Sequence, residues 1–443
     1  MPIKVLQRCY QERASLIPVL DKWVVEGRPI AHEELKGFIK SFRKNHRFKP
    51  ALEIAEWMSE MKHFNTKPGH IAVQLDLISK VHGLEQAEQY FNSLEDDLLV
   101  LPVYGALLNC YADAKSLEKA EAVMEKIRKL NCSSTLFYNT MLSLYSQMGM
   151  HEKLDSLMQE MEYKGIVFDV FTYNIRLNAY ATVSDIEKME KLLMKMEVDP
   201  QVTVNFHTYI TAAKGYLKGG ASEKASMVLK KAEHLINRHE RQYTYGVLIT
   251  VYATMQEKAN VYRIWNLLRK DGKLYNRNYM CMLTSLEKLD DLEGAEKILE
   301  EWEEKNIYFD IRIPNLVICA YCKKGRVREA EVILNRLLEN GKEPTASTWS
   351  RMAFGYYENA QMEKAVEMTK KAIMARFPGW KPDLPTVAAC LEYLKKKGDA
   401  DGIQEMLMLL EKCGNFSVGF KERIEKYVNN KELRPEALEV GTI

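Results

Sequence analysis

Hydrophobic positions recur through this chain at steps of three and four residues, broken at short intervals by small polar turns. Ala120, Val123, Met124 and Ile127 form one such stripe. Residues at that spacing share one side of an α-helix, so the pattern predicts a succession of short amphipathic helices. The stripes are themselves periodic. Tyr111, Tyr145, Tyr180, Tyr216, Tyr252, Tyr321 and Tyr356 stand at intervals of 34, 35, 36, 36, 69 and 35 residues, and Leu286 fills the slot inside the double interval. A second aromatic precedes most of these positions by two helical turns, as Tyr104, Tyr138, Tyr173, Tyr209, Tyr245, Tyr279 and Trp349. Both rings therefore lie on one helix face. Behind the tyrosine column a small or apolar residue recurs (Ala120, Leu154, Met189, Ala225, Val261, Ala295, Ala330 and Ala365). A short side chain there lets a second helix approach the first closely.

Each period thus reads helix, turn, helix, loop. Neither helix can bury its stripe alone, whereas stacked neighbours bury a continuous core. The expected fold is all-α: a right-handed superhelical α-solenoid of about eleven helix-turn-helix repeats of ~35 residues. The units begin near His32, Pro68, Leu101, Thr135, Val170, Phe206, Gln242, Asn276, Ile311, Ala346 and Leu384. Residues 1–31 read as an N-terminal arm and capping helix around Leu16–Val25, residues 32–417 as the repeats, and residues 418–443 as a polar C-terminal cap and tail.

Composition agrees with an array. A chain of 443 residues exceeds what one hydrophobic core supports. There is no run of about 18 apolar residues, so no membrane-spanning helix is expected. The formal charge is only +2, so an anionic partner has to be met by local patches. The first acidic residue, Glu12, follows Lys4 and Arg8, an acid-poor basic start that reads either as a short organelle-targeting segment or as an ordinary N-terminal arm. Among eight scattered cysteines only Cys319 and Cys322 have CxxC spacing. A zinc site needs a second pair or nearby histidines, and none follows. The pair reads as small helix residues in a reducing compartment, with a redox pair as the alternative.

No sequence signature of catalysis is present. There is no HExxH, GxxxxGK[ST] or GxSxG, and the histidine and cysteine pattern of a zinc deaminase cannot form after His239, the last histidine. The acid pairs Asp96–Asp97 and Asp290–Asp291 fall at turns, where solvation explains them. The chain is read as a non-enzyme needing no cofactor, metal or small-molecule substrate.

Two helical-repeat families share this period. The eighth position of each unit, where a tetratricopeptide repeat carries Gly or Ala, here holds Leu108, Leu142, Leu177, Ala213, Ile249, Leu283, Ile318 and Ala353. The segment VFDVFTYNIRLNAY ending at Tyr180 and the segment MQEMEYKGIVFD ending at Asp169 instead resemble the pentatricopeptide repeat, with its V-x-T-Y-N-x-L-I start and M-x-x-x-G-x-x-P-D end. The resemblance covers residues 32–417. The opening SLIPVLDKWVVEGRPIAHEELKGFIKSFRKNHRFKPALEIAEWM (Ser15–Met58) is similar to a short, P-type plant mitochondrial subgroup, some of whose members are subunits of the mitochondrial ribosome.

That resemblance implies RNA as the partner, read by the fifth and the last residue of each unit. The pairs it points to are Asn139 with Asp169 (uridine type), Asn174 with Asn205 (pyrimidine type), Asn315 with Thr345, and Ser350 with Asp383 (purine type). Leu136 and Phe171, at the second position, would flank the bases. Amides and carboxylates carry the donors and acceptors a base edge requires. The remaining pairs depart from the pattern: Gly105 with Ser134, Ile210 with Arg241, Gly246 with Tyr275, and Met280 with Asp310. Lys36 and Ala72 occupy the fifth position of the first two units. Ile210, Gly246 and Met280 cannot read a base by hydrogen bonding, so a long sequence-specific footprint is not expected.

Phosphates need no code. Lys40, Arg43, Lys44, Arg47 and Lys49 form the densest basic cluster, and Lys323, Lys324, Arg326 and Arg328 a second, with Lys395, Lys396 and Lys397 a third. Each cation placed on a phosphate adds affinity by releasing counterions. The expected function is a non-catalytic RNA-binding scaffold of the mitochondrion, most concretely a ribosomal component touching rRNA and ribosomal proteins. The alternatives are a free P-type factor on one organelle transcript and a purely protein-binding adaptor.

Overall fold

The computed structural model describes residues 15–26, 32–60, 67–130, 134–238, 240–305, 308–377 and 380–411. The basic start around Lys4 and Arg8 and the tail at 418–443 lie outside them. Among the described residues there are twenty-three α-helices, a short 3₁₀ turn at Asp96–Leu98 and no strand. A helix at Ile17–Val25 precedes helix pairs whose first members start at His32, Pro68, Leu101, Thr135, Val170, Phe206, Arg241, Asn276, Arg312, Ala346 and Leu384. These starts match the repeat register to within one residue. The chain divides into two compact units, residues 1–235 and 236–443.

Each compact unit is an α-solenoid stack. In the first, the helices Pro68–His82, Leu101–Asp113, Thr135–Gln147, Val170–Thr182 and Phe206–Lys218 lie side by side in that order. The second helices Leu84–Asn92, Leu117–Lys129 and Ile186–Val198 each pack on their own partner and against the first helix of the following pair. The second unit repeats this from Arg241–Thr254 through Leu384–Lys397. The small column does what its size requires: Ala120, Ala225, Ala330 and Ala365 are fully buried between helices.

The turn inside each pair has one shape. The carbonyls of Tyr111, Tyr145, Tyr180, Tyr216, Tyr252, Leu286, Tyr321 and Tyr356 accept an N–H from five residues on, at 2.8–3.0 Å. This is the six-to-one closure of a Schellman end, which needs a left-handed residue just before the donor. Gly149, Gly220 and Gly325 take that seat, but so do Lys115, Ser184, Gln256, Asp290 and Ala360, at φ 53–60°.

The tyrosines are tyrosines, rather than phenylalanines, because their hydroxyls close the seams between pairs. Tyr145 Oη donates to Glu121 of the preceding pair at 2.9 Å, and Lys153 reaches the same carboxylate at 2.7 Å. Tyr321 with Glu296, and Tyr356 with Glu331 and Lys364, repeat the arrangement. The forward aromatic column does likewise, within its own pair for Tyr138 to Glu160 and Tyr279 to Glu301, and to the preceding pair for Tyr209 to Glu197. Burial, then the adjoining carboxylate, pushes the phenols of Tyr209 and Tyr321 up to about 12. Burial works against ionising Glu160, Glu197 and Glu301, but the converging donors outweigh it and hold all three below the usual carboxylate range.

Cys319 and Cys322 both sit buried in the helix Arg312–Lys323. Cys322 packs where a side chain at Gly355 would otherwise go, and burial pushes its thiol up to about 12. That raised pKa disfavours thiolate chemistry. Asp291 caps the helix Leu292–Glu304 and accepts Tyr262 Oη at 2.7 Å. The Asp96–Asp97 pair forms the 3₁₀ turn.

Candidate nucleic-acid interface

The fifth residue of a unit lies in the opening turns of its first helix. In the four candidate pairs the last residue, Asp169, Asn205, Thr345 or Asp383, is the N-cap of the next first helix, and the two first helices are neighbours. That places the two positions near one another. At Asn139 and Asp169 they meet directly: Asn139 Nδ2 donates to Asp169 Oδ1 at 3.0 Å. The Thr172 hydroxyl donates to Asn139 Oδ1 at 2.8 Å and lies 2.9 Å from Asp169 Oδ1, which also accepts the Thr172 backbone N–H at 2.8 Å. Burial opposes ionisation of Asp169, but these donors prevail and hold its carboxyl below the usual range. The result is an anchored carboxylate and an amide of fixed orientation, both accessible from the first-helix face.

The other last residues are also helix caps. Asn205 and Thr345 form capping boxes with Thr208 and Thr348, and Asp383 accepts from Thr386. The threonine of the V-x-T-Y-N signature is thus the N3 residue of a cap. Their fifth-position partners differ. Asn174 and Asn315 each hold a buried Oδ1 with no hydrogen-bond partner among the described residues. Asn315 as a whole is only 6% exposed. Ser350 and Asp383 share a narrow cleft closed by Trp380. Leu136 and Phe171 are 64% and 68% exposed, unusual for large apolar side chains.

The off-pattern fifth positions have distinct packing. A Cβ on Gly105 would lie 2.6 Å from Phe137 Cε1, so the neighbouring ring already occupies that place. Ile210 is buried in the core. At Gly246 a Cβ would meet only Cys281 Sγ, at an ordinary 3.8 Å. Ala72 and Gly105, both lacking reach, leave a groove of about 490 Å³ edged by Arg43, Asn109, Ser134 and Leu136.

The basic clusters differ in how engaged they are. In the second, Lys323 pairs with Glu287, Lys324 with Asp290 and Arg326 with Glu329, at 2.7–2.8 Å. In the third, Lys396 pairs with Glu392 and Lys397 with Glu363. In the first, Arg43 is held by Asp76 at 2.7 Å, while Lys40, Lys44 and Lys49 are exposed. Exposed pairs of this kind are weak enough to exchange for a phosphate. The threonine locks and the seam carboxylates were not singled out from sequence, because neither carries a motif of its own.

Comparison with known proteins bears on the same residues. Profiles described as PPR repeat family, PPR repeat and pentatricopeptide repeat domain match residues 133–182; residues 171–199, 278–307 and 313–341; and residues 101–148, respectively. A mitochondrial pentatricopeptide repeat-containing protein of Arabidopsis thaliana is 42% identical over 405 residues, spanning 91% of this chain and 83% of that protein. The large ribosomal subunit protein mL101 (rPPR4) of Arabidopsis thaliana is 33% identical over 411 residues, spanning 91% and 83%. The crystal structure of the maize pentatricopeptide repeat protein PPR10 aligns at a TM-score of 0.44 and 16% identity, over 93% of this chain and 67% of that one.

Proposed function

This chain belongs to the pentatricopeptide repeat family, and on that premise we propose that it is a non-catalytic RNA-binding scaffold of plant mitochondria, built into the mitochondrial ribosome and contacting rRNA and ribosomal proteins. One observation carries the reading. Of the pairs that could read a base, only Asn139 and Asp169 are joined by a hydrogen bond, and the units that follow Val170 offer Ile210, Gly246 and Met280. A contact so sparsely coded cannot pick one transcript from many. It suits an RNA presented in place, gripped by backbone and shape. The likeness to mL101, a protein of the large ribosomal subunit, and to a mitochondrial relative supports the compartment and the assembly.

In this reading Leu136 and Phe171 flank bases, Asn139 with Asp169 and Asn174 with Asn205 read two successive ones, and Lys40, Lys44 and Lys49 meet phosphates. Asn315 with Thr345 and Ser350 with Asp383 are isolated readers. Fractionation of mitochondria expressing the tagged chain tests the assembly: co-sedimentation with a ribosomal subunit is expected, and absence from every ribosomal fraction overturns it.

The second reading is a free P-type factor on a single messenger. The unpartnered carbonyls of Asn174 and Asn315 favour it, since each lacks the donor that a base would bring. Crosslinking that returns one messenger site, and no rRNA, would decide for it.

A further inference from the structure

The first two helix pairs enclose a second cavity, of about 350 Å³, in which no reading position of the family pattern takes part beyond the off-pattern Lys36. Its size falls at the small end of ligand-binding sites. Buried Ile39 and Met58 supply its apolar surface. The imidazoles of His32 and His70 face one another with Nε2 atoms 3.3 Å apart and ring centroids at 4.8 Å. Gln74, only 8% exposed, also lines it and accepts Ser59 Oγ at 3.1 Å. Three cations, Lys36, Lys40 and Arg43, line the same space.

This combination sorts candidate ligands by chemistry. Flat imidazoles and a thioether suit a planar ring, and a buried amide suits the polar edge of that ring. With Arg43 held by Asp76, Lys36 and Lys40 are the two cations that can turn to a ligand. Two match a terminal phosphomonoester, which carries about −1.5 to −2 at neutral pH, better than a singly charged diester. Burial first, and then the charges of Lys36, His32 and Lys67 against the opposing charge of Glu33, push His70 below its ordinary value. Arg43 and Val73 line this cavity and the groove beside Ala72 and Gly105 alike, so the two are adjacent.

We propose that this cavity binds a nucleoside monophosphate bearing a terminal phosphomonoester, either as a free nucleotide or as the phosphorylated end of a single-stranded RNA lying in the adjoining groove. The second source rests on the RNA-binding reading above; the first does not. Lys36 and Lys40 would take the phosphate, Lys36 by exchanging its exposed 2.8 Å pair with Glu33. The histidine pair and Met58 would take the base.

The test uses the full chain and fluorescence anisotropy. Single-stranded oligonucleotides of one sequence carry a 5′-phosphate, a 3′-phosphate or hydroxyl ends, and nucleoside monophosphates and nucleosides serve as competitors. A phosphorylated end is expected to bind roughly tenfold more tightly than its hydroxyl counterpart. The variant K36A, outside the residues placed on the RNA backbone, is expected to erase that advantage while the hydroxyl-ended oligonucleotide still binds. S59F, checked for helicity, narrows the cavity from a residue that does not line the groove and should do the same. If oligonucleotides bind with no preference for phosphate, or the preference survives both variants, the cavity proposal is overturned and the RNA reading stands. If the monophosphate binds and loses affinity in both variants while no oligonucleotide binds, the cavity proposal stands and the RNA reading falls.

Discussion

The unit that begins at Thr135 and the one that begins at Arg241 are built on the same frame and finished differently. Both carry the seam tyrosine, Tyr145 and Tyr252, buried in the stack, and both close their inner turn with the same backbone bond. At the fifth position the first holds Asn139, locked to Asp169 and Thr172, while the second holds Gly246, whose missing side chain no neighbour replaces. Scaffold and reading face are therefore separable. The stack constrains the tyrosine columns, the small column and the caps, whereas the fifth position is constrained only where something packs on it, as Phe137 does at Gly105.

That separation can be broken in order of size. Tyr145→Ala and Tyr252→Ala should each cost about 3–5 kcal/mol, the range for emptying a buried aromatic site, when followed by chemical denaturation. Similar costs support a shared frame, and a cost below about 1 kcal/mol at either would show that the frames differ. Next come the glycines. Gly105→Asn should destabilise by about 1–3 kcal/mol because Phe137 has to move. Gly246→Asn should be neutral or stabilise by up to about 1 kcal/mol as a helix-interior glycine is lost. Equal effects at the two would refute the packing argument.

Caps and readers separate at the following step. Asp169→Ala should lower stability by about 1 kcal/mol through loss of the cap, and Asn139→Ala by less than about 0.5 kcal/mol. Both should weaken binding of a short uridine-rich RNA, measured by anisotropy; a loss confined to Asp169→Ala would mean that Asn139 reads nothing. The smallest effect concerns pH. Glu160, Glu197 and Glu301 lie below their usual 4.5 when folded, so the stability they add is present above that value and is lost as pH falls through the folded pKa. The thermal midpoint should drop on acidification below about 4.5, and Glu301→Gln should shrink that drop.

Much of the frame was readable in the sequence, because its signals repeat. Seven tyrosines in register predict the units, and the observed helix starts depart from the reading by no more than one residue. The tyrosine hydroxyl partners were not readable. Glu121 and Glu296 lie 24 and 25 residues before their tyrosines, among 61 acidic residues with nothing to mark them. Only the stack brings them together. The capping boxes were visible as letters, in Asp169-x-x-Thr172, but the base-reading pattern drew attention to the aspartate and away from the threonine. The basic clusters were visible as charge, yet whether Lys323 is engaged depends on Glu287, 36 residues earlier. Gly105 was recognisable as a non-reader, but its cause is a ring one unit away.

The left-handed turn seat has a further consequence. Five units place Lys115, Ser184, Gln256, Asp290 or Ala360 in a backbone shape that glycine adopts without steric penalty. The backbone cost of each seat stays within its own turn, although Gln256 and Asp290 also reach the next unit, at the Lys288 carbonyl and at Lys324. A protein assembled this way carries a reserve of unclaimed thermal resistance distributed along its length. It can drift in sequence at the bends of Lys115, Ser184 and Ala360, one at a time, while the surface offered to its partner stays as it is.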